Sequence, residues 1–363
     1  MSPSPHLVRA SLVLPFLVLL SVADATKDWD GIVDQVIETT KPYDTGVSYE
    51  DFVLRPVAQA IRDLQFGPED GAALTNWVER GLQDPDLSPH ALDRLLVGLD
   101  VASVLTEPDG FGPVLEHRQR MTLKALEQIE RGSTDSLTVY KLYNEGMVVC
   151  GAGTCVGVDV LLYPDPQGLA SRFAKALDGL LISHVHNDHF DALSQLHPEL
   201  KTAGKPVILP DMGRLKPIGA KLNAGKIGAM RWTAHRGMHV QTDRPSAYFV
   251  LEIAGRTIVH SGDNTRWMPF GHTVDPGMVD LLLLKPESLY NDQTTEDGTA
   301  RIQAAMVESL DLIRPKLIVP HHLLELGHGL GAYSHAMGMS VRRQAPAGSR
   351  VRLVHWGQSI SVP

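Results

Sequence analysis

The sequence predicts a mixed α/β fold, two β-sheets packed as a sandwich and flanked by helices, preceded by an all-α segment. Three observations predict it. Apolar residues across 26–135 recur with helical period. From Ser136 onward the pattern shortens to strand-length runs. Those later runs end repeatedly in polar turns carrying His and Asp, the layout by which α/β folds deliver functional groups at the C-terminal ends of strands.

At the N-terminus, Arg9 precedes an apolar run from Ala10 to Leu20, and Ala23-Asp24-Ala25 follows. A basic start, a short apolar stretch and an A-x-A-like site describe a signal peptide over residues 1–25, cleaved after Ala25. The run is shorter than the roughly 20 residues a spanning helix needs, so the expectation is an exported protein, secreted or periplasmic, with no stable membrane anchor after cleavage; an uncleaved anchor is the alternative. Cleavage removes Arg9 and Asp24 together and leaves the net charge at −9. An acidic chain without a Lys/Arg block excludes a nucleic-acid backbone or an anionic membrane surface as the main partner. A small-molecule substrate is the expected partner.

Within 26–135, Trp29, Ile32, Val33, Val36 and Ile37 mark one buried helix face. Ser48-Tyr49-Glu50-Asp51 opens a second helix with Phe52, Leu54, Val57, Ile61 and Leu64, interrupted by Pro56 and closed by Gly67. Ser88-Pro89 reads as an N-cap and first helical residue ahead of Leu92, Leu95, Leu96 and Leu99. A last helix runs from Gly112 to Arg131 and ends at Gly132. No ligand cluster occurs here, where His90 and His117 stand alone.

The region 136–363 is the predicted sandwich. Thr138–Tyr143 and Gly146–Val149 read as strands joined by the Asn144-Glu145-Gly146 turn, and Val156–Leu162 as a third, ended by Pro164-Asp165-Pro166. Gly151, Gly153 and Gly157 imitate a dinucleotide fingerprint, but β-branched residues follow where that motif must open a helix. Cys150 and Cys155 can close a disulfide across a tight turn; free thiols or soft metal ligands are the alternatives, and two cysteines without a second pair make a poor zinc site. A helix near Leu169–Leu177 leads into strand Gly179–Ile182. Then come Val207–Leu209, a helix-like patch near Arg214–Asn223, strand Arg231–His235, and a strand pair Ala247–Ile253 and Thr257–His260 turning at Ala254-Gly255. Asp280–Leu284, a helix near Thr299–Leu312, Leu317–Val319, Val351–Val354 and Ser359–Val362 complete the set.

The chemistry concentrates after the strand Gly179–Ile182, in His184-Val185-His186-Asn187-Asp188-His189. Imidazole nitrogens and carboxylate oxygens hold zinc and similar divalent ions. In an extended segment His184 and His186 point the same way, while Asp188 and His189 fall where the chain turns toward a second point. Further candidates stand at later strand ends: His235, Asp263, and His321 or His322.

Taken together, His184-x-His186-x-Asp188-His189, Ala234-His235, Ser261-Gly262-Asp263 and Val319-Pro320-His321-His322 resemble the metallo-β-lactamase superfamily over residues 136–363. The strand pair before Gly262-Asp263, the Tyr-Asn-Glu-Gly turn and Trp356-Gly357-Gln358 look most like the branch holding ascorbate-phosphate lactonase and N-acyl-phosphatidylethanolamine phospholipase D. The resemblance implies an αββα sandwich and two divalent metal ions, zinc first, with manganese or iron as alternatives. It implies that His184, His186 and His235 bind the first ion, that Asp188, His189 and His322 bind the second, and that Asp263 bridges them. His239 competes with His235, and His321 with His322. The implied reaction is hydrolysis of an ester, lactone, amide or phosphodiester by a metal-bridged hydroxide, with Asp188 orienting it or carrying a proton to the leaving group. Asn264 stands where many relatives carry threonine. An iron-dependent redox relative and a non-catalytic metal-binding or scaffold protein on the same fold are the rival readings; di-iron flavoprotein relatives place glutamate where His186 stands. Substrate specificity lies in the loops and is not legible.

Overall fold

The computed structural model describes residues 28–40, 68–107, 110–132, 136–162, 168–190, 196–211, 216–239, 244–264, 271–286, 296–324, 326 and 335–362. The signal segment, the helix expected over 48–67 and Pro164-Asp165-Pro166 lie outside the described residues. Two compact units divide the chain. The first comprises Met1–His117, Ser288–Ala300 and Leu323–Ser340, the second Arg118–Glu287, Arg301–His322 and Val341–Pro363.

In the first unit lie α1 (Trp29–Thr40), α2 (Pro68–Gly81) and α3 (Pro89–Thr106). Ser88 caps α3, its side chain accepting the Ala91 N–H at 3.1 Å, as the Ser-Pro pair predicts. Arg94 of α3 reaches Asp30 and Asp34 of α1, each at 2.7 Å. The next helix, α4 (Gly112–Glu130), crosses the division between the units. From Arg118 on its residues fall in the second unit.

The second unit is the sandwich. Its first sheet has six strands in the order β13-β1-β2-β3-β4-β5. These are β1 (Thr138–Lys141), β2 (Met147–Gly151), β3 (Thr154–Val158), β4 (Gly179–Leu181), β5 (Val207–Ile208) and β13 (Ser359–Ser361). The second sheet has seven, in the order β12-β11-β10-β9-β8-β7-β6. They are β6 (Lys221–Ile227), β7 (Met230–His239), β8 (Arg244–Ile253), β9 (Arg256–His260), β10 (Leu281–Leu284), β11 (Leu317–Pro320) and β12 (Arg350–Val351). Strands β3, β4 and β5 run parallel in one sheet and β9 to β12 in the other; the remaining pairs are antiparallel.

Layering follows from side-chain alternation. Val139, Val149, Val156, Val158 and Leu181 of the first sheet meet Trp232, Ala234, Phe249, Leu251, Leu281, Leu283 and Val319 of the second in one buried core. The opposite face of the first sheet (Tyr140, Val148, Leu180) packs on α4, α5 (Leu169–Ala176) and α6 (Leu196–Thr202). The opposite face of the second (Tyr248, Val259, Leu282, Leu284, Ile318) packs on Met306, Leu310 and Ile313 of α7 (Glu296–Ile313) and on Val341 of α8 (His335–Gln344). This is the αββα order that the resemblance implies. Each fully buried Leu or Val contributes about 1.5–3 kcal/mol, so the three cores hold both sheets rigid beneath whatever sits at their edge. No described helix is long and apolar enough to cross a membrane.

Two local readings are corrected. The helix-like patch Arg214–Asn223 gives way at Lys221 to β6, because this segment pairs antiparallel with β7 from Lys221↔His235 to Ile227↔Met230. Cross-strand pairing overrides its weak helical pattern. The strand read over Val156–Leu162 stops at Val158, since Asp159 takes a left-handed φ of 47°. Cys150 and Cys155 face each other across β2 and β3 and form a disulfide.

Candidate metal centre

Parallel strands of both sheets finish at one edge, and the residues just past their ends build the site. Asp159 follows β3, and Ser183-His184 follow β4. Asp263 follows β9, Lys285 follows β10, and His321-His322 follow β11. Backbone bonds tie the ends together. Ala247 N–H donates to Ser183 O at 3.0 Å and His322 N–H to Asn144 O at 3.3 Å, which brings the β1–β2 turn to the same edge. The turn at Gly262 has φ 49°, and a Cβ there would lie 2.6 Å from Ala247 O. Only glycine lets the chain double back so tightly and aim Asp263 inward.

Of the seven predicted ligands, six converge. His184, His186 and Asp263 offer ligand atoms all within 4.8 Å of one another, and so do His189, Asp263 and His322 together with Glu145. Asp263 belongs to both groups. Asp188 lies beside the second, its Oδ2 being 3.1 Å from His189 Nε2 and 3.2 Å from His322 Nε2. These donors fit a divalent metal site. His189 Nε2 stands 3.1 Å from Asp188 and 3.3 Å from Asp263 Oδ1, yet is aligned for a hydrogen bond to neither. A buried nitrogen flanked by two carboxylates but hydrogen-bonded to neither is one that an ion would satisfy.

Behind the ligands, Asp159 holds the loop. Its Oδ1 accepts the Ser183 N–H at 2.7 Å and its Oδ2 lies 3.0 Å from His189 Nδ1. A carboxylate on the far nitrogen leaves the Nε2 lone pair free for an ion. Ser183 Oγ lies 3.0 Å from His184 Nδ1 and 3.1 Å from His189 Nδ1. Asn144 Nδ2 donates to Asp188 Oδ2 at 3.2 Å. Asn264, in the position after Asp263, accepts the Met238 N–H on its side-chain oxygen at 3.3 Å and so pins β7 to the turn.

Electrostatics match a cation-binding role. Burial, and then the neighbouring His189 charge, push His184 down to about 3, so its ring is neutral at ordinary pH, the form that can coordinate a metal. Burial alone would raise Asp263 and Asp188. For Asp263, Lys285, His189 and His322 outweigh it; for Asp188, His189 and His322 do, and both carboxylates end well below the usual range. Lys285 Nζ stands 3.8 Å from Asp263 Oδ2.

Neither a protein-family profile nor a curated protein matches the sequence. Among solved structures, the chain is similar to the metallo-hydrolase Igni18 of the archaeon Ignicoccus hospitalis, with a TM-score of 0.44 and 14% identity, covering 62% of this chain and 97% of that one. It is similar to the metallo-β-lactamase-fold protein YhfI of Bacillus subtilis (TM-score 0.43, 15% identity, 62% and 99% covered). It is similar as well to CmlA, a diiron β-hydroxylase from Streptomyces venezuelae (TM-score 0.43, 16% identity, 63% of this chain and 55% of that one). Likeness at this level decides nothing about chemistry, which rests on the chain's own residues.

His235 is the predicted ligand that the structure does not bring in. It lies within β7, opposite Tyr248 in register, with the two rings stacked at 5.2 Å and its Nδ1 3.1 Å from Gly219 O. Its neighbour Ala234 faces the inter-sheet core, so alternation turns His235 to the other face of the sheet. The side chain of His239 lies outside the described residues. Between the adjacent histidines, His322 joins the group with Asp263, and His321 points to Glu145 instead, at 2.8 Å. Sequence reasoning missed Glu145, Asp159, His260 and Lys285. A signal existed for Asp159 and Lys285, each directly following a buried strand; Glu145 and His260 carried none.

Proposed function

We propose that this chain is a metal-dependent hydrolase of the metallo-β-lactamase kind, exported by its N-terminal signal and acting on an ester, lactone, amide or phosphodiester. The observation that carries the reading is that Asp263 is shared by two groups of ligand atoms at the common edge of the two sheets. Two ions so held would lower the pKa of a water and polarise the bond under attack. The chain's own contribution is orientation. Asp159 and Ser183 hold His189 and His184, and Asn144 and His322 hold Asp188 beside the second position. Asp188, the most exposed of the carboxylates there, is the group placed to pass a proton to a leaving group.

The test is a panel of chromogenic esters, lactones, phosphodiesters and a cephalosporin, assayed on purified mature protein with and without chelator. Turnover that chelation abolishes and added zinc, manganese or iron restores is the expected result. Full metal content with no chelator-sensitive turnover on any substrate would transfer the reading to a metal-binding scaffold. Mass spectrometry of exported protein should find Thr26 as its first residue.

A second reading is favoured by one observation, the position of His235 outside the cluster. His184, His186 and Asp263 then form a two-His, one-carboxylate set, an arrangement suited to non-haem iron. Oxygen uptake by iron-loaded protein in the presence of a reductant would support it over hydrolysis.

A further inference from the structure

We propose that Glu145 is a ligand of the second metal position, an additional carboxylate supplied by the β1–β2 turn and held from behind by His321 and His260. The proposal rests on the two-metal reading above and extends its ligand set.

Glu145 has no ordinary reason to be where it is. It is fully buried in a turn whose neighbours are Asn144 and Gly146, although an ionised side chain is almost never buried without a counter-charge. Both of its carboxylate oxygens lie without an aligned hydrogen-bond donor. The buried Lys141 faces it as a neighbouring charge but directs its hydrogen bonds to the Leu142 and Asn144 carbonyls. What Glu145 does have is position. A carboxylate oxygen lies within 4.8 Å of the ligand atoms of His189, Asp263 and His322, which are already assigned to the second ion. The turn is locked to that spot from both sides, by His322 N–H on Asn144 O and by Asn144 Nδ2 on Asp188.

The same carboxylate also forms a group with His260 and His321, which could be taken for a third metal position. Hydrogen bonding rules this out. His260 Nδ1 accepts the Gly262 N–H at 3.2 Å, so its proton sits on Nε2, which donates to Glu145 O at 3.2 Å. A nitrogen carrying that proton has no lone pair for an ion. His260 therefore fixes the Glu145 backbone and stacks its ring on His321 at 4.7 Å. His321 in turn brings Nδ1 to 2.8 Å from Glu145 Oε2 and sets Nε2 3.4 Å from Ser261 Oγ. The His260 bond to the Glu145 carbonyl and the His321 ring beside the carboxylate back the turn from behind, and the carboxylate remains open to an ion.

With Glu145 included, the second position has Asp188, Asp263 and Glu145 beside His189 and His322. Three hard oxygen ligands favour manganese or iron more than an all-histidine set does. The decisive experiment is a crystal structure of the full mature chain soaked in Mn²⁺, read by anomalous scattering. A Glu145 oxygen within about 2.0–2.3 Å of the second ion is the expected result. Ions in place with Glu145 more than about 3 Å away would overturn the assignment and leave the two-metal reading standing. No ion at His184, His186, His189, Asp263 and His322 would overturn both. In solution, Glu145→Gln should weaken Mn²⁺ at the second position by more than the roughly 10–100-fold loss typical of an outer partner, and change the Mn²⁺ EPR spectrum. His321→Gln should stay within that range, and Glu145→Asp should restore part of the affinity. Equal losses in Glu145→Gln and His321→Gln would reduce Glu145 to an orienting residue.

Discussion

Asp159→Asn tests the architecture behind the ligands with the smallest change of shape. Asparagine tolerates the left-handed backbone at this position, φ 47°, so the loop itself should survive. The substitution changes only which atoms donate. In the native chain one carboxylate oxygen takes the Ser183 N–H at 2.7 Å and the other faces His189 Nδ1 at 3.0 Å, all of them buried. An amide has one acceptor to offer. If its oxygen stays on Ser183, its NH₂ meets the Nδ1 proton of His189, and the ring must move that proton to Nε2, the atom that should bind metal. If the amide turns over, the Ser183 N–H is left without an acceptor. The first arrangement puts the proton on the metal-binding nitrogen, between Asp188 and Asp263; the second leaves a buried donor unsatisfied, at a cost of about 1–3 kcal/mol to the metal-free protein. Loss of the orienting carboxylate should weaken the second ion by roughly 10–100-fold. Competition with a chromophoric chelator measures that affinity, and urea unfolding of the metal-free chain measures the stability. Asp280→Asn is the control. This carboxylate also accepts a backbone N–H, from Thr257 at 2.9 Å, and pairs with Lys316 at 2.8 Å, but it stands at the opposite end of β10. It should lose stability while keeping its metal. Unchanged affinity for both ions in Asp159→Asn would refute the claim that this residue sets the His189 tautomer.

Three further outcomes follow from the geometry. Gly262→Ala should lose both ions together, because its Cβ would stand 2.6 Å from Ala247 O and displace Asp263; elemental analysis showing normal metal content would contradict this. His235→Gln should retain the wild-type ion count and chelator affinity, since His235 lies on Tyr248; a tenfold loss for the first ion would return His235 to the ligand set. Burial lowers His189, but Asp188, Asp263 and Asp159 outweigh it and hold the ring well above its ordinary value. The stability it contributes to the metal-free protein is therefore full below about pH 6.5 and lost as pH rises through the raised value. An ion must displace that proton, so metal uptake above pH 6.5 should release it and tighten with pH. Calorimetry in two buffers of different ionisation enthalpy would detect the release, and an enthalpy independent of buffer would count against it.

The sandwich was legible because each core strand carries its period openly. Asp280–Leu284 reads as a buried strand and Leu317–Val319 as a strand, and the structure pairs the two in parallel as β10 and β11; the Ala254-Gly255 turn between β8 and β9 has both residues at positive φ, 51° and 73°. Elements stabilised by a neighbour were less visible. The strand β6 exposes Lys221, Ala224, Gly225 and Lys226, so nothing in its own pattern announces a strand; its partner β7 supplies the order. The division of α4 between the units was also hidden, because helical period says which face is buried and not against what.

The ligand set divides along the same line, and the reason is geometric. His184, Asp188, His189, Asp263 and His322 all lie beyond strand ends, where the backbone is free to turn and side-chain direction is no longer tied to the two-residue alternation. A motif read in order succeeds there. His235 lies inside a ten-residue strand, so its direction was decided by Ala234 and Trp232, which must face the core. The parity argument could have been made from the sequence: once Trp232 and Ala234 are taken as inward residues, His235 is an outward one. Glu145 is the converse. As the middle residue of an Asn-Glu-Gly turn it looked like turn chemistry, which accounts for Asn144 at φ 53° and for Gly146 but asks nothing of the glutamate. A charged residue in a turn is ordinarily solvated. This one is buried because β13 and β2 flank β1 and the ends of β9 and β11 close over the turn. That arrangement arises only when the two sheets meet, which is why no local pattern could report it.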